Sequence, residues 1–203
     1  TEDADVVALQ EVTSCSDPDT AIPNRTLEAL TETFPNYHLS FAPAFYDTAI
    51  AGSPVLDGSL ILSKFPVVSS TVTFYDVPYG EASLVKQPGV RDEDRDWTSK
   101  PRNFQDVGLE LADGRVLHVQ NTQGIWGFDD QDTDRRIMMG TMLSNVASSH
   151  EFSILCGDMN FGNQTKAAAI MREGRTDVFA GMLTTSFNMQ YKNFGGFPKS
   201  VVD

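Results

Sequence analysis

A chain of 203 residues with 40% hydrophobic content is long enough for one sizeable core and short of what two domains need, so residues 1–203 are read as a single domain. Its 28 acidic and 15 basic residues give a formal charge of −13, which argues against a broad electropositive face for nucleic acid, because phosphate contacts are normally matched by Lys or Arg. No stretch is apolar and long enough to span a bilayer as a helix, and nothing implies a stable protein partner. The start carries no leader pattern, which favours the cytoplasm, but it opens at the edge of an apolar strand, so a leader or a first strand could precede it and the compartment stays open.

Residues 5–12, "DVVALQEV", form a short β-rich run that ends on polar residues. Cys15 follows; Cys156, the second of the two cysteines, lies inside an apolar run and reads as a small buried hydrophobe rather than a disulfide arm. A helix is expected from Asn24, as N-cap, to Phe34, with Leu27, Leu30 and Phe34 at helical spacing. "YHLSFAPA", "GSLILS" and "VVSSTVTFYD" read as strands, the last two separated by a turn at Lys64-Phe65-Pro66. From Tyr79 to Lys100 the chain is charged and irregular, a surface loop whose "DEDRD" run reads as a solvated face.

The pattern then tightens. "FQDVGLELADGRVLHVQNT" gives two strands joined by Ala112-Asp113-Gly114, a hairpin signal. Asp132 or Thr133 can cap a helix running to Ser149, with Ile137, Met138, Met142, Leu143 and Val146 apolar. A strand, "ILCGDMN", spans residues 154–160 and reads as buried, and a helix from Gln164 to Arg172 ends at a Glu173-Gly174 turn. Strands and helices interleave but hairpin signals recur, so a mixed-sheet α/β sandwich fits better than a parallel sheet.

Three apolar strands end on acids or amides that an interior would not tolerate unpaired: Gln10-Glu11, Asn121-Thr122-Gln123 and Asp158-Met159-Asn160, with Asp203 after "SVV" as a fourth. Singly, each reads as a solvated strand end or an ordinary turn. Together they describe carboxylates converging on one cleft, an oxygen-rich cage suited to Mg²⁺ or Mn²⁺, which would recruit phosphate to an acidic chain through the metal.

"DADVVALQEV", "DGSLILSKFPV", "VQNTQGIWG", "ILCGDMN" and the terminal "SVVD" resemble, in order and spacing, the endonuclease/exonuclease/phosphatase superfamily in a bacterial-type branch. The resemblance implies a deoxyribonuclease-I-like α/β/β/α sandwich of two mixed sheets, here missing terminal strands, and divalent-metal-dependent hydrolysis of phosphate esters. It implies Glu11 as the principal Mg²⁺ ligand and Asp158 as the acid that orients or deprotonates the attacking water. Asn160 would hold the scissile phosphate, and Arg102 would contact it. Asp203 would serve the metal site and polarise a catalytic His. Gly157 would let the chain turn at the strand end so that Asp158 and Asn160 both face the phosphate.

Where the family has His, this chain has Gln123, which can donate to phosphate but carries no proton or charge. No His follows Asp203, and His38, His118 and His150 do not replace it: His118 lies within a strand pattern and His150 in a helix-to-strand turn. Two functions therefore stand open, a metal-dependent phosphoesterase and a degenerate member that binds a phosphorylated ligand without turnover. Nucleic acid, nucleotide, inositol phosphate and phospholipid headgroup all remain open as substrates, with Trp126 and Phe128 placed to line a cleft or to pack.

Overall fold

The computed structural model describes residues 3–15, 25–48, 54–82, 99–127, 129, 131–179 and 182. Asp203, Asn24, Phe128 and the 92–96 charge run lie outside them.

Among the described residues are eight strands and three helices: β1 (Val6–Cys15), α1 (Thr26–Thr33), β2 (His38–Asp47), β3 (Val55–Ser63), β4 (Val67–Phe74), β5 (Gly80–Glu81), β6 (Asn103–Glu110), β7 (Val116–Gln123), α2 (Asp134–Ser148), β8 (Ser153–Asp158) and α3 (Lys166–Arg172). They make two four-stranded sheets, ordered β1-β3-β2-β5 and β4-β6-β7-β8. Each is mixed: the longer pairings are antiparallel, while β2 with β5 and β7 with β8 run parallel.

Period-2 alternation sorts the side chains into layers. Leu60 and Leu62 of β3, with Val12 of β1, pack beneath Leu27, Leu30 and Phe34 on the α1 side. Ile61, Val107, Leu109 and Val119 meet between the sheets. Phe104 and Tyr75 on the far face pack against Met139 and Leu143 of α2 and Ala167, Ala168 and Met171 of α3. The order is thus α1, first sheet, second sheet, α2 with α3, the expected α/β/β/α sandwich. Each fully buried Leu or Ile in these layers contributes roughly 1.5 to 3 kcal/mol over its exposed state.

α1 starts after Arg25, not the expected Asn24, with no side-chain cap, whereas α2 and α3 are capped by side chains. Thr133 Oγ1 accepts the Arg136 N–H at 3.2 Å and begins α2. Asp132 caps a different helix, its carboxylate accepting the Lys166 and Ala167 N–H groups of α3 at 2.7 and 3.0 Å. The face α2 buries is Arg136, Met139, Gly140, Leu143 and Ala147, one step round from the apolar positions counted in sequence. A charged residue belongs to it because the Arg136 guanidinium satisfies the carbonyls of Ile125, at 3.2 Å, and Gln131, at 2.5 Å, and so ties down the segment after β7.

Two further expectations are corrected. β8 is an edge strand with Ile154 51% exposed, since its apolar run meets β7 on one side and no other described strand. Part of the expected 79–100 loop is β5, too short to leave a sequence pattern. Both cysteines are free, and burial pushes the Cys156 thiol up to about 11.

Candidate active site

Glu11 owes its place to a bulge rather than to a strand end. The β1–β3 register steps from Leu9 opposite Leu60 to Val12 opposite Gly58, so Gln10 and Glu11 together oppose Ser59. β1 then continues to Cys15, which corrects the expectation that it stops at Glu11. The extra residue is accommodated with Glu11 at φ 55°, a left-handed conformation costing on the order of 1 to 3 kcal/mol outside glycine. A second irregularity falls on β2 one step further along β3, where Pro43 opposes Gly58 and Phe45 opposes Asp57. Gly58 is required there, because a Cβ would lie 2.2 Å from the Ala42 carbonyl oxygen.

The second sheet brings the other groups to the same end. β7 finishes at Gln123 and β8 at Asp158, in register with one another, and Arg102 immediately precedes β6. Gln123 Nε2 donates to Glu11 Oε1 at 2.8 Å, and Gln123 Oε1 accepts from Arg102 Nη1. Gln123 therefore links the carboxylate of one sheet to the guanidinium of the other. Asn160, also left-handed at φ 57°, donates its N–H to Asp158 Oδ1 and its Nδ2 to the Gly124 carbonyl, both at 3.0 Å. Among the described residues the only non-glycine positive φ values are those of Glu11 and Asn160, and strain of this kind gathers where a side chain must be aimed.

Gly157 is explained differently from the expected turn. It lies inside β8 at φ +134°, and a Cβ would sit 2.1 Å from the Thr122 carbonyl oxygen, so it serves the close approach of β8 to β7. Asn121 and Thr122 are structural. Asn121 Oδ1 accepts from Gln10 Nε2 at 2.6 Å, and its Nδ2 donates to the carbonyls of Leu9 and Leu60 at 3.0 and 3.2 Å. The Thr122 hydroxyl bonds Tyr75 and the Asn103 carbonyl on the opposite face.

Asp57, which the sequence reading gives no role, joins the site. It is 5% exposed, and burial pushes its carboxyl up to about 6, with Glu11 adding to the shift and Arg102 and Lys100 opposing it. Burial pushes the Arg102 guanidinium down, against the opposing pull of Asp57, Glu11 and Asp158. Arg102 is 9% exposed and its Nε is a buried donor with no hydrogen-bond partner, so it forms a positive back wall among three acids.

Because the folded-state carboxyl titrates at about 6 against an ordinary 3.8, the native chain holds a proton that the unfolded chain releases, and stability falls as pH rises through that window. In chelator, Asp57→Asn will exceed the parent by on the order of 2 to 3 kcal/mol near neutrality and converge with it below about pH 4, as read from urea midpoints across pH.

Asp203, the fourth group of the oxygen-rich cage expected from the sequence, lies outside the described residues. Among the described residues, three His, Cys, Asp or Glu ligand atoms come within 4.8 Å of one another only at Asp106, His118 and His150, in another part of the second sheet. The donors at the Glu11 end are nevertheless all oxygens or amides, and Mg²⁺ commonly takes one or two carboxylates, leaving its other positions to water and substrate phosphate. That set fits a hard cation. Trp126, half-buried, follows directly on this end.

The fold defines a deoxyribonuclease-I-like α/β sandwich, with acidic and amide side chains gathered at this end of it. Residues 1–203 match the endonuclease/exonuclease/phosphatase family, and the chain belongs to it. Among solved structures, sphingomyelinase C from Streptomyces griseocarneus is similar with TM-score 0.53 at 18% identity, over 84% of this chain and 56% of that one. ANGEL2, a 2',3'-cyclic phosphatase, gives 0.50 at 21%, over 85% and 44%. An endonuclease/exonuclease/phosphatase from Beutenbergia cavernae gives 0.52 at 16%, over 82% and 43%. The chain thus spans about half the length of these structures. No curated protein matches it in sequence.

Proposed function

We propose that this chain carries the active site of a divalent-metal-dependent phosphoesterase that hydrolyses a phosphodiester or phosphomonoester by in-line attack of water. Family membership supports the reaction class. The observation that carries the reading is the link from Glu11, raised on its bulge, through Gln123 to Arg102, with Asp158 and Asn160 beside it.

In this reading Glu11 is the principal ligand of Mg²⁺ or Mn²⁺, with Asp203 contributing from outside the described residues. The ion, when bound, neutralises charge developing on the phosphate oxygens. Asp158 orients the attacking water and takes its proton. Asn160 turns a fixed amide toward the phosphate, since one of its two Nδ2 hydrogens is spent on Gly124 and the other is available to donate. Gln123 holds the Glu11 carboxylate by hydrogen bonding, in the position where the family uses His. Arg102 supplies positive charge behind the phosphate from its buried site.

The substrate is a phosphate ester reached by an acidic protein, which disfavours long duplex DNA over nucleotides, short nucleic acids, inositol phosphates and phospholipid headgroups. The intact protein assayed on that panel, with Mg²⁺, with Mn²⁺ and with chelator, will hydrolyse at least one class and lose the activity in chelator. Saturable binding of a phosphorylated ligand without turnover would replace the enzyme by a binding module. Hydrolysis unaffected by chelation would overturn the metal-dependent mechanism.

A further inference from the structure

We propose that Asp106, His118 and His150 form a second metal site, suited to Zn²⁺ or a similar borderline transition ion and distinct from the Glu11 site. It lies on the α2 side of the second sheet. Asp106 projects from β6 opposite Gln120 of β7, and His118 lies two residues back along β7, five residues from Gln123. His150 comes from the turn between α2 and β8. Three separate stretches of chain thus deliver one ligand each.

The geometry is close to what a tetrahedral ion needs. His118 Nδ1 lies 3.3 Å and His150 Nε2 lies 2.9 Å from the same carboxylate oxygen, Asp106 Oδ2. Ligand atoms about 2.0 Å from a tetrahedral Zn²⁺ are separated by about 3.3 Å, close to these two spacings. The two imidazoles are stacked, with centroids 3.4 Å apart and planes within 6°, and both present a nitrogen to the same carboxylate. To close on an ion the His150 ring must tilt out of the stack, which its position on a turn permits. Asp106 and His118 are held by paired strands.

The surrounding groups favour occupancy. Gln120, fully buried, donates Nε2 to Asp106 Oδ1 at 2.5 Å, the kind of outer hydrogen bond that fixes a ligating carboxylate. Side-chain exposures of 19% for His118, 21% for His150 and 10% for Asp106 leave a path for the ion and for a water as fourth ligand. Two nitrogens with one oxygen select against Mg²⁺, which prefers oxygen donors throughout, and toward Zn²⁺. An ion held here ties the α2–β8 turn to β6 and β7, and so braces the strand whose far end is Asp158.

The test uses the intact protein carrying Glu11→Gln, which removes the Glu11 carboxylate as a competing site. After chelation and dialysis, titration calorimetry will show saturable Zn²⁺ binding with a raised melting temperature, and Co²⁺ in its place will give the visible absorption of tetrahedral coordination. His150→Gln, on a turn and therefore tolerated by the fold, will weaken binding by at least about a hundredfold and abolish the Co²⁺ bands; His118→Gln will do the same. With Glu11 intact, His150→Gln will leave Mg²⁺-dependent turnover unchanged in the absence of Zn²⁺. Absence of saturable Zn²⁺ binding, or binding undiminished by His150→Gln, would overturn the proposal and leave the cluster as a hydrogen-bonded clamp on Asp106.

Discussion

Glu11→Gln will reduce metal-dependent turnover by about a thousandfold or more while leaving the chain folded. The two consequences have separate causes. A carboxylate that anchors a divalent ion supports several kcal/mol of transition-state stabilisation, and about 4 kcal/mol corresponds to three orders of magnitude. The substitution keeps the shape of the side chain, and the bond from Gln123 Nε2 at 2.8 Å can be accepted by the carbonyl oxygen of a glutamine. Its backbone strain at φ 55° is the same before and after. Steady-state rates over a Mg²⁺ titration, set beside a circular dichroism spectrum and a urea midpoint, check both halves. Turnover within tenfold of the parent would remove Glu11 from the metal site.

Gly157→Ala will lower stability by roughly 3 to 5 kcal/mol, a large loss for the addition of one methyl group. Its new Cβ would meet the Thr122 carbonyl oxygen at 2.1 Å and the Thr122 nitrogen at 2.8 Å, at φ +134° where L-residues are strained even in open space. Neither neighbour can yield, because Thr122 is held in β7 by strands on both sides. Relief requires β8 to lift away from β7, and Asp158 goes with it. Denaturant unfolding measures the loss; a change below about 1 kcal/mol would mean that the β7–β8 register differs from that described.

Much of the architecture is legible in the sequence because it rests on local alternation and turn chemistry. The hairpin at Ala112-Asp113-Gly114 closes as expected, with the Leu111 N–H bonded to the Arg115 carbonyl and the Gly114 N–H to that of Leu111. The convergence of Glu11, Gln123, Asp158 and Asn160 at one end also follows the order of the strands. What escapes depends on partners distant in sequence. A bulge has no one-strand signature, so Glu11 reads as a strand terminus when its orientation comes from the step opposite Ser59. Asp57 receives no role in the sequence because the groups that set its charge balance, Arg102 and Lys100, lie far along the chain. Arg136 reads as one more charge on a helix, yet its guanidinium caps carbonyls of a segment that the helix only meets in three dimensions.

The Asn121 side chain has a mechanical consequence. Glu11 belongs to one slab of the sandwich, whereas Gln123 and Asp158 belong to the other, so any slippage of the slabs would change the gap between them. That amide reaches from β7 to Leu9, Gln10 and Leu60, directly behind the raised carboxylate, and acts as a rivet against shear. The gap between Glu11 and its partners across the sheets is thereby gauged from deep in the interior, where solvent cannot loosen it.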